Sequence, residues 1–379
     1  DSLREALKRL GEVGLMTAVD FTLPNISFAG CPPIVTGPDA YRVLPDVIQA
    51  HGARSVLLLG GRRALAAGLP ELKAALSGKD ISLMIREFSG ECTMLQVRAY
   101  AREAVSMGAG LILGMGGGKA LDTAKAAAHL TGLPVITLPT IPATCAALTA
   151  LSVLHDPPGS AEGPFLFLDH PPAHVCLHTG ILSRSPAMYL RAGIGDSLAK
   201  AVESAYKAGA VNDLSYTDRL GLSIAQFGFE TLLSHGVSAL ADMAQGKDSP
   251  AFRLAAQLCI VNTGLVSLLV QERLNGALAH ALYYALRDMP GFAEVLHGDA
   301  VAWGSVVLLA LEGNMAEAAR LKTFLGEVGS LSSLREIGLA PDDIKSWLPQ
   351  ALAQPDMAQP PTPLTPEMVL RAVLFAEAL

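Results

Sequence analysis

Positive charge is scarce in this chain: 28 Lys and Arg face 35 Asp and Glu over 379 residues, for a formal net charge of −7. The basic residues are scattered and form no stripe able to neutralise a phosphate backbone, so no nucleic-acid partner is expected. Cysteine is sparse as well. Five of them, an odd number running from Cys31 to Cys259, do not make the disulfide framework of a small secreted domain, and reduced thiols in a cytoplasmic setting are the simpler expectation. No apolar run reaches the roughly 20 residues that a bilayer span needs. The best candidate, Leu254 to Val270, is interrupted by Gln257, Asn262 and Thr263; it reads as a buried helix, and no membrane partner is expected. The first residues, DSLREALKRLGEVG, carry charges throughout and lack the apolar centre of a signal peptide, while the missing initiator Met implies removal of a tag or a few residues. No internal repeat is visible. The one biased patch, Pro355 to Pro366, reads as a surface connection between the last helices.

What is abundant is apolar sequence, 51% of the chain, enough for a large core and, at this length, for two domains. Up to about residue 140, apolar runs at 55–59, 81–85, 111–113 and 135–138 alternate with helical stretches such as 95–106 and 122–130. Strand, helix, strand, helix predicts a parallel α/β sheet with right-handed crossovers. Residues 141–180, rich in Pro, Gly, Thr and His, read as loops and a hairpin at the sheet edge, with a short β-like run at 164–168. Beyond Ser183 the pattern becomes long amphipathic segments at 186–208, 213–244, 250–287 and 297–312. The expectation is an α/β, Rossmann-like nucleotide-binding domain over residues 1–182 and an all-helical domain over residues 183–379.

The stretch Gly114-Met115-Gly116-Gly117-Gly118-Lys119 falls between a predicted strand and a predicted helix, where a pyrophosphate belongs. Glycines let backbone approach the phosphate closely, and the helix N-terminus favours an anion. The spacing is not GxGxxG, because Lys119 stands at the third glycine, and it is not a Walker A loop, because Ala120 replaces the Ser or Thr. A structural turn with no ligand remains an alternative at this point.

Together with PTIPATCAALTALSVLHD (139–156), AGIGDSLAKAVES (192–204), ALAHAL (277–282) and VLHGDAVAWG (295–304), the loop resembles the glycerol dehydrogenase branch of the metal-dependent, iron-containing alcohol dehydrogenase superfamily. It looks closest to hydroxycarboxylate dehydrogenase A-like members, over roughly residues 33–310. The resemblance implies the dehydroquinate synthase-like fold of that family. It also implies one divalent metal, zinc or iron, held by Asp196, His280 and His297, a hard carboxylate and two imidazoles that leave a position open for a substrate oxygen. Carried over position by position, Gly117, Gly118, Lys119 and Asp122 contact the cofactor pyrophosphate and nicotinamide ribose, with Thr140, Thr149 and Leu151 lining the same groove. Asp122 is expected on the first turn of its helix, where a carboxylate favours the helix in any case.

The chain departs from the family pattern at three positions. Lys200 stands where many iron-type members have a further His; it either attracts a substrate carboxylate or faces solvent. Cys145 replaces an Asp that holds polyol substrates in glycerol dehydrogenases, and a thiol is a weak hydrogen-bonding group, so glycerol is a poor guess and 2-oxo acid reduction a better one. Tyr283 replaces a common His and either lines the pocket, donates a proton or packs in the core. Arg62, with Arg63 beside it, falls where an acid would meet the adenosine ribose, and a guanidinium there suits a 2′-phosphate. The expected function is therefore interconversion of a small hydroxy compound and its carbonyl, with NADP(H) preferred over NAD(H). Rival readings are a glycerol or glycerol-1-phosphate dehydrogenase, a dehydroquinate synthase-like lyase and a non-catalytic binding protein. The lyase would need more cations than Arg191, Lys200 and Lys207. Family members usually form dimers or larger rings, so a homodimer or larger homo-oligomer is expected.

Overall fold

The computed structural model describes residues 30–156 and 164–379; the N-terminal stretch read above for a signal sequence lies outside them. The apolar runs become β2 (Ser55–Gly61), β4 (Leu111–Gly116) and β5 (Val135–Pro139), with β3 at Ser82–Phe88. β2, β4 and β5 are continuous runs because both sheet faces are covered. Val56 and Leu58 pack with Leu111, Leu113 and Ile136 on one side, while Leu57 and Leu59 pack with Ile112, Ala124 and Ala127 on the other. Among the described residues the sheet has six strands in the order β1-β8-β5-β4-β2-β3, where β1 is Ile34–Gly37 and β8 is His174–His178, and every pairing is parallel.

Two strands therefore modify the expected layout. β8, inside the stretch read as loops and an edge hairpin, lies between β1 and β5 in the sheet interior. Its sequence, HVCLH, has polar ends that hide three buried central residues. The expected hairpin exists as β6 (Leu151–Val153) against β7 (Phe165–Phe167), but as a separate two-stranded antiparallel ribbon.

After β2 the chain runs outward to β3 and then returns to β4 on the other side of β2. The crevice at the carboxyl ends of β2 and β4 is thus a topological switch point, the position where open α/β sheets take their ligands. Gly60 of β2 lies opposite Met115 of β4. The two strands open directly into the helices Arg62–Leu76 and, after Gly117, Gly118–Thr131.

From residue 179 onward the chain is helical. The main elements are Ala187–Ala208, Tyr216–Ala244, Pro250–Leu269 with a wide turn at Leu258–Asn262, Leu278–Leu286, His297–Leu311, Met315–Val328 and Pro366–Ala378. Pro250–Leu269 is long and apolar enough to cross a membrane by length and composition, but 61% of that window is buried inside the protein, as a core helix would be. The continuous segment expected over 250–287 is broken after Leu269. The Asp218 carboxylate, which also closes a capping box with Ser215, accepts from the Gln271 backbone N–H at 2.9 Å and from its side-chain amide at 2.6 Å. Those bonds turn the chain out of the helix. The Pro355–Pro366 patch is more than a surface connection: Met357 is buried, and the Lys207 ammonium donates to the carbonyls of Asp356, at 3.0 Å, and Ala358.

Glycines set how closely the helices approach. A Cβ at Gly298, in His297–Leu311, would lie 1.7 Å from the Ala192 carbonyl oxygen, and one at Gly195 would lie 2.3 Å from that of Gly298. A Cβ at Gly304 would lie 2.8 Å from Ala279 Cα. Three helices thus meet with backbone against backbone. Gly298→Ala must push two helices apart, an overpacking cost of about 3 kcal/mol. The expected result is a thermal midpoint lowered by about 5 °C or more, read by circular dichroism; an unchanged midpoint would mean that the helices separate freely.

Candidate metal centre and cofactor cleft

These glycine contacts deliver the metal candidates to one point. Asp196 sits in the middle of Ala187–Ala208, His280 in the first turn of Leu278–Leu286, and His297 is the first residue of its helix. Asp196 Oδ1 lies 3.7 Å from His280 Nε2 and 3.4 Å from His297 Nε2, and one ligand atom from each residue falls within 4.8 Å of the others. These separations are too long for good hydrogen bonds. They match the spacing of about 3.4 Å between donors that each stand about 2.0–2.1 Å from a tetrahedral zinc. Burial pushes the Asp196 carboxyl up, but the neighbouring His297 imidazole, with His280 and Lys200, outweighs it and holds the group below the usual carboxylate range. The site therefore presents an ionised oxygen donor, and these residues fit a divalent metal.

A fourth residue, absent from the expected set, completes the arrangement. Glu203, fully buried and two turns after Asp196 on the same helix, accepts from the backbone N–H groups of Ala277 at 2.8 Å and His280 at 2.9 Å. It also bonds to His280 Nδ1. Burial raises this carboxyl, but His280 and the two backbone donors outweigh it and hold the group ionised. Conversely, burial pulls the His280 imidazole down while Glu203 and Asp196 leave it raised. The available signal was an acid seven residues beyond Asp196, which places both on one helix face.

The proposed substrate residues lie around this point. Lys200, on the same helix, donates to the Asn275 carbonyl at 2.6 Å and to Asn275 Oδ1 at 3.2 Å, so it is neither a plain solvent-facing lysine nor an unpartnered cation. Cys145 opens a short turn capped by Thr144. Burial, with the Asp196 charge, pushes its thiol up to about 11. The Tyr283 ring meets His297 edge-on at 4.4 Å between centroids, so it packs directly on a metal candidate. Of the cations that a lyase would need, Arg191 is held by the buried Asp299 through bonds of 3.0 and 2.7 Å, and Lys200 and Lys207 are committed to carbonyls.

In the crevice, Gly116 has φ +151°, a conformation that favours glycine, and a Cβ at Gly117 would lie 2.6 Å from Ile141 Cδ1. Thr140, buried at the end of β5, donates its backbone N–H to the Gly116 carbonyl at 3.0 Å, which ties it to the loop. Lys119 is half-exposed and pairs with Glu91 at 2.5 Å. Because the helix begins at Gly118, Asp122 sits in the second turn and not the first. The dipole benefit expected for it is largely lost there. Its buried carboxylate pairs instead with Lys125 at 2.9 Å. Lys125, also missed in the sequence, is 1% exposed and donates to Thr149 Oγ1 at 3.1 Å, to the Thr149 carbonyl at 3.2 Å and to the Leu151 carbonyl. It fixes the Thr149–Leu151 wall onto the glycine-loop helix. Arg62 opens the helix after β2, exposed and without an ion-pair partner among the described residues.

The model of the iron-containing alcohol dehydrogenase family matches residues 31–170. The chain is similar to hydroxycarboxylate dehydrogenase A of Escherichia coli K12, at 34% identity over 75% of this chain and 77% of that protein. It is also similar to a glycerol dehydrogenase of Pseudomonas putida, at 32% identity over 91% and 95%. Among solved structures, a probable glycerol dehydrogenase from Sinorhizobium meliloti 1021 superposes with a TM-score of 0.81 at 25% identity, covering 93% of this chain and 99% of that one.

Proposed function

Because the chain belongs to the iron-containing alcohol dehydrogenase family, on its glycerol dehydrogenase-like branch, we propose that it reduces a small 2-oxo acid to the hydroxy acid, reversibly, with NADPH. The observation that carries the reading is the placement of Asp196, His280 and His297 around one point, with a glycine loop at the switch point of the sheet. Residues 1–182 serve as the nucleotide-binding domain and residues 183–379 as the metal and substrate domain.

Bound between the three side chains, a divalent metal, zinc or iron, supplies Lewis acidity to the substrate oxygen, and the nicotinamide carries the hydride. Asp196, His280 and His297 are the residues that would hold the metal, and Glu203 holds His280. Gly117 and Gly118 lead into a helix start whose free backbone N–H groups suit a pyrophosphate, and Lys119 can exchange Glu91 for a phosphate oxygen. Asp122 acts through Lys125 on the groove wall formed by Thr149 and Leu151, with Thr140 behind the loop. Arg62, without an ion-pair partner among the described residues, suits a 2′-phosphate. Lys200 supplies a cation near Asp196 for a substrate carboxylate, with one N–H left after its two Asn275 bonds.

Cys145 favours an oxo acid over glycerol. Its thiol, pushed up to about 11, stays neutral at physiological pH and leaves no charged acceptor for a polyol. A dehydroquinate synthase-like lyase is disfavoured because Arg191 and Lys207 are already engaged, which leaves Lys200 as a single cation for a phosphorylated acidic substrate. Five free cysteines suit the cytoplasm. Exposed Tyr216, Leu220 and Phe227 along Tyr216–Ala244 offer a face for homo-oligomerisation. The test is a kcat/KM panel of 2-oxo acids and glycerol on the wild type and Cys145→Asp. The wild type should favour oxo acids with NADPH, and the variant should lose at least about tenfold on them, since a new like charge costs about 1.4 kcal/mol or more near an anionic substrate. A wild type that turns over glycerol and no oxo acid would refute the reading.

A further inference from the structure

The Ala187–Ala208 helix carries four charged residues on one face: Asp196, Lys200, Glu203 and Lys207. Asp196 faces the two histidines, and the other three each hold another segment of chain. Lys200 holds Asn275, Glu203 holds Ala277 and His280, and Lys207 holds the carbonyls of Asp356 and Ala358. We infer that Glu203 is the residue that selects the tautomer and pose of His280, and that it thereby sets the metal affinity of the site. The inference rests on the reading of Asp196, His280 and His297 as a metal site.

Glu203 makes three contacts, and all three partners lie in the segment that brings His280 to the site. An ionised carboxylate only accepts, so the proton of His280 belongs on Nδ1. The Nε2 lone pair is then free and faces Asp196 across the 3.7 Å gap. The same carboxylate accepts from the backbone of Ala277 and of His280 in the first turn of Leu278–Leu286, so the ring cannot turn without loosening the start of its own helix. Carboxylates in this outer position fix ligand orientation and raise ligand basicity, and their loss typically weakens metal binding by about 10–100-fold.

Helix capping alone would also explain the two backbone bonds, and Glu203→Gln separates the two roles. Its amide oxygen still accepts from Ala277 and His280, so the cap survives. Its NH2 now meets Nδ1 as a donor, which moves the imidazole proton to Nε2 and blocks the metal-facing lone pair. Zinc dissociation constants are measured for wild type and Glu203→Gln by competition with a chromophoric chelator, with the circular dichroism spectrum as a control on folding. The expected result is one zinc per wild-type chain and binding weaker by about 10–100-fold in the folded variant. Equal zinc affinity in the folded variant would overturn the role given to Glu203. Wild type that fails to bind zinc would overturn the metal-site reading and this inference with it. Should the variant not fold, the histidine ¹⁵N spectrum of metal-free wild type, taken at a pH high enough for His280 to be neutral, decides, with His280 assigned by its loss in His280→Asn. A proton on Nδ1 supports the role, and a proton on Nε2 overturns it.

Discussion

His297→Ala is expected to lower kcat/KM by at least about 10³-fold, because Lewis-acid stabilisation worth several kcal/mol is lost with the metal. The substitution removes one of the three converging donors and leaves Asp196 and His280 3.7 Å apart, a pair too small to retain a divalent ion against dialysis. Elemental analysis of the purified variant should find little metal where wild type holds one ion per chain. The fold should survive, since His297 lies at the start of its helix and is only half-buried; an unchanged circular dichroism spectrum would confirm that. Retained metal with retained turnover would show that the three side chains are not the reactive centre.

Arg62→Asp is expected to reverse the coenzyme preference. Charge-assisted hydrogen bonds contribute about 1.5–3 kcal/mol each, so NADPH should weaken by about 10–100-fold while NADH holds steady or tightens. The geometry makes the inference specific. Arg62 follows the carboxyl end of β2, the strand paired with β4 where the glycine loop begins, and no acidic side chain pairs with it among the described residues. Dissociation constants from nicotinamide fluorescence, taken with both coenzymes on both proteins, decide the matter. If the substitution changes neither constant, Arg62 is a solvated helix-start residue and the 2′-phosphate lies elsewhere.

How much of this was readable beforehand depends on how local each signal is. β2, β4 and β5 are continuous apolar runs because both of their faces are covered, and a run of that kind shows in any window of the sequence. β8 was not readable: its end histidines and its Pro- and His-rich surroundings conceal a strand that exists because β1 and β5 lie on either side of it. The metal candidates could be named only because several motifs recurred together in a known order; no periodicity links Asp196 to His280. Glu203 and Lys125 were missed for one shared reason. A charged residue on a helix ordinarily faces water, and only tertiary structure shows the helix start of Leu278–Leu286 against one and the β6 ribbon against the other. Likewise, the break after Leu269 depends on the Asp218 carboxylate from a different helix, which no local propensity reports.

The proposed chemistry needs one metal and one nicotinamide together in this cleft. Its most direct test follows the absorbance of NADPH with a panel of 2-oxo acids, before and after a chelator strips the protein and again after one equivalent of zinc or iron(II) is returned. Turnover that disappears on chelation and returns with the single equivalent is the predicted result. Oxidation of NADPH that proceeds undiminished in the stripped protein would contradict it.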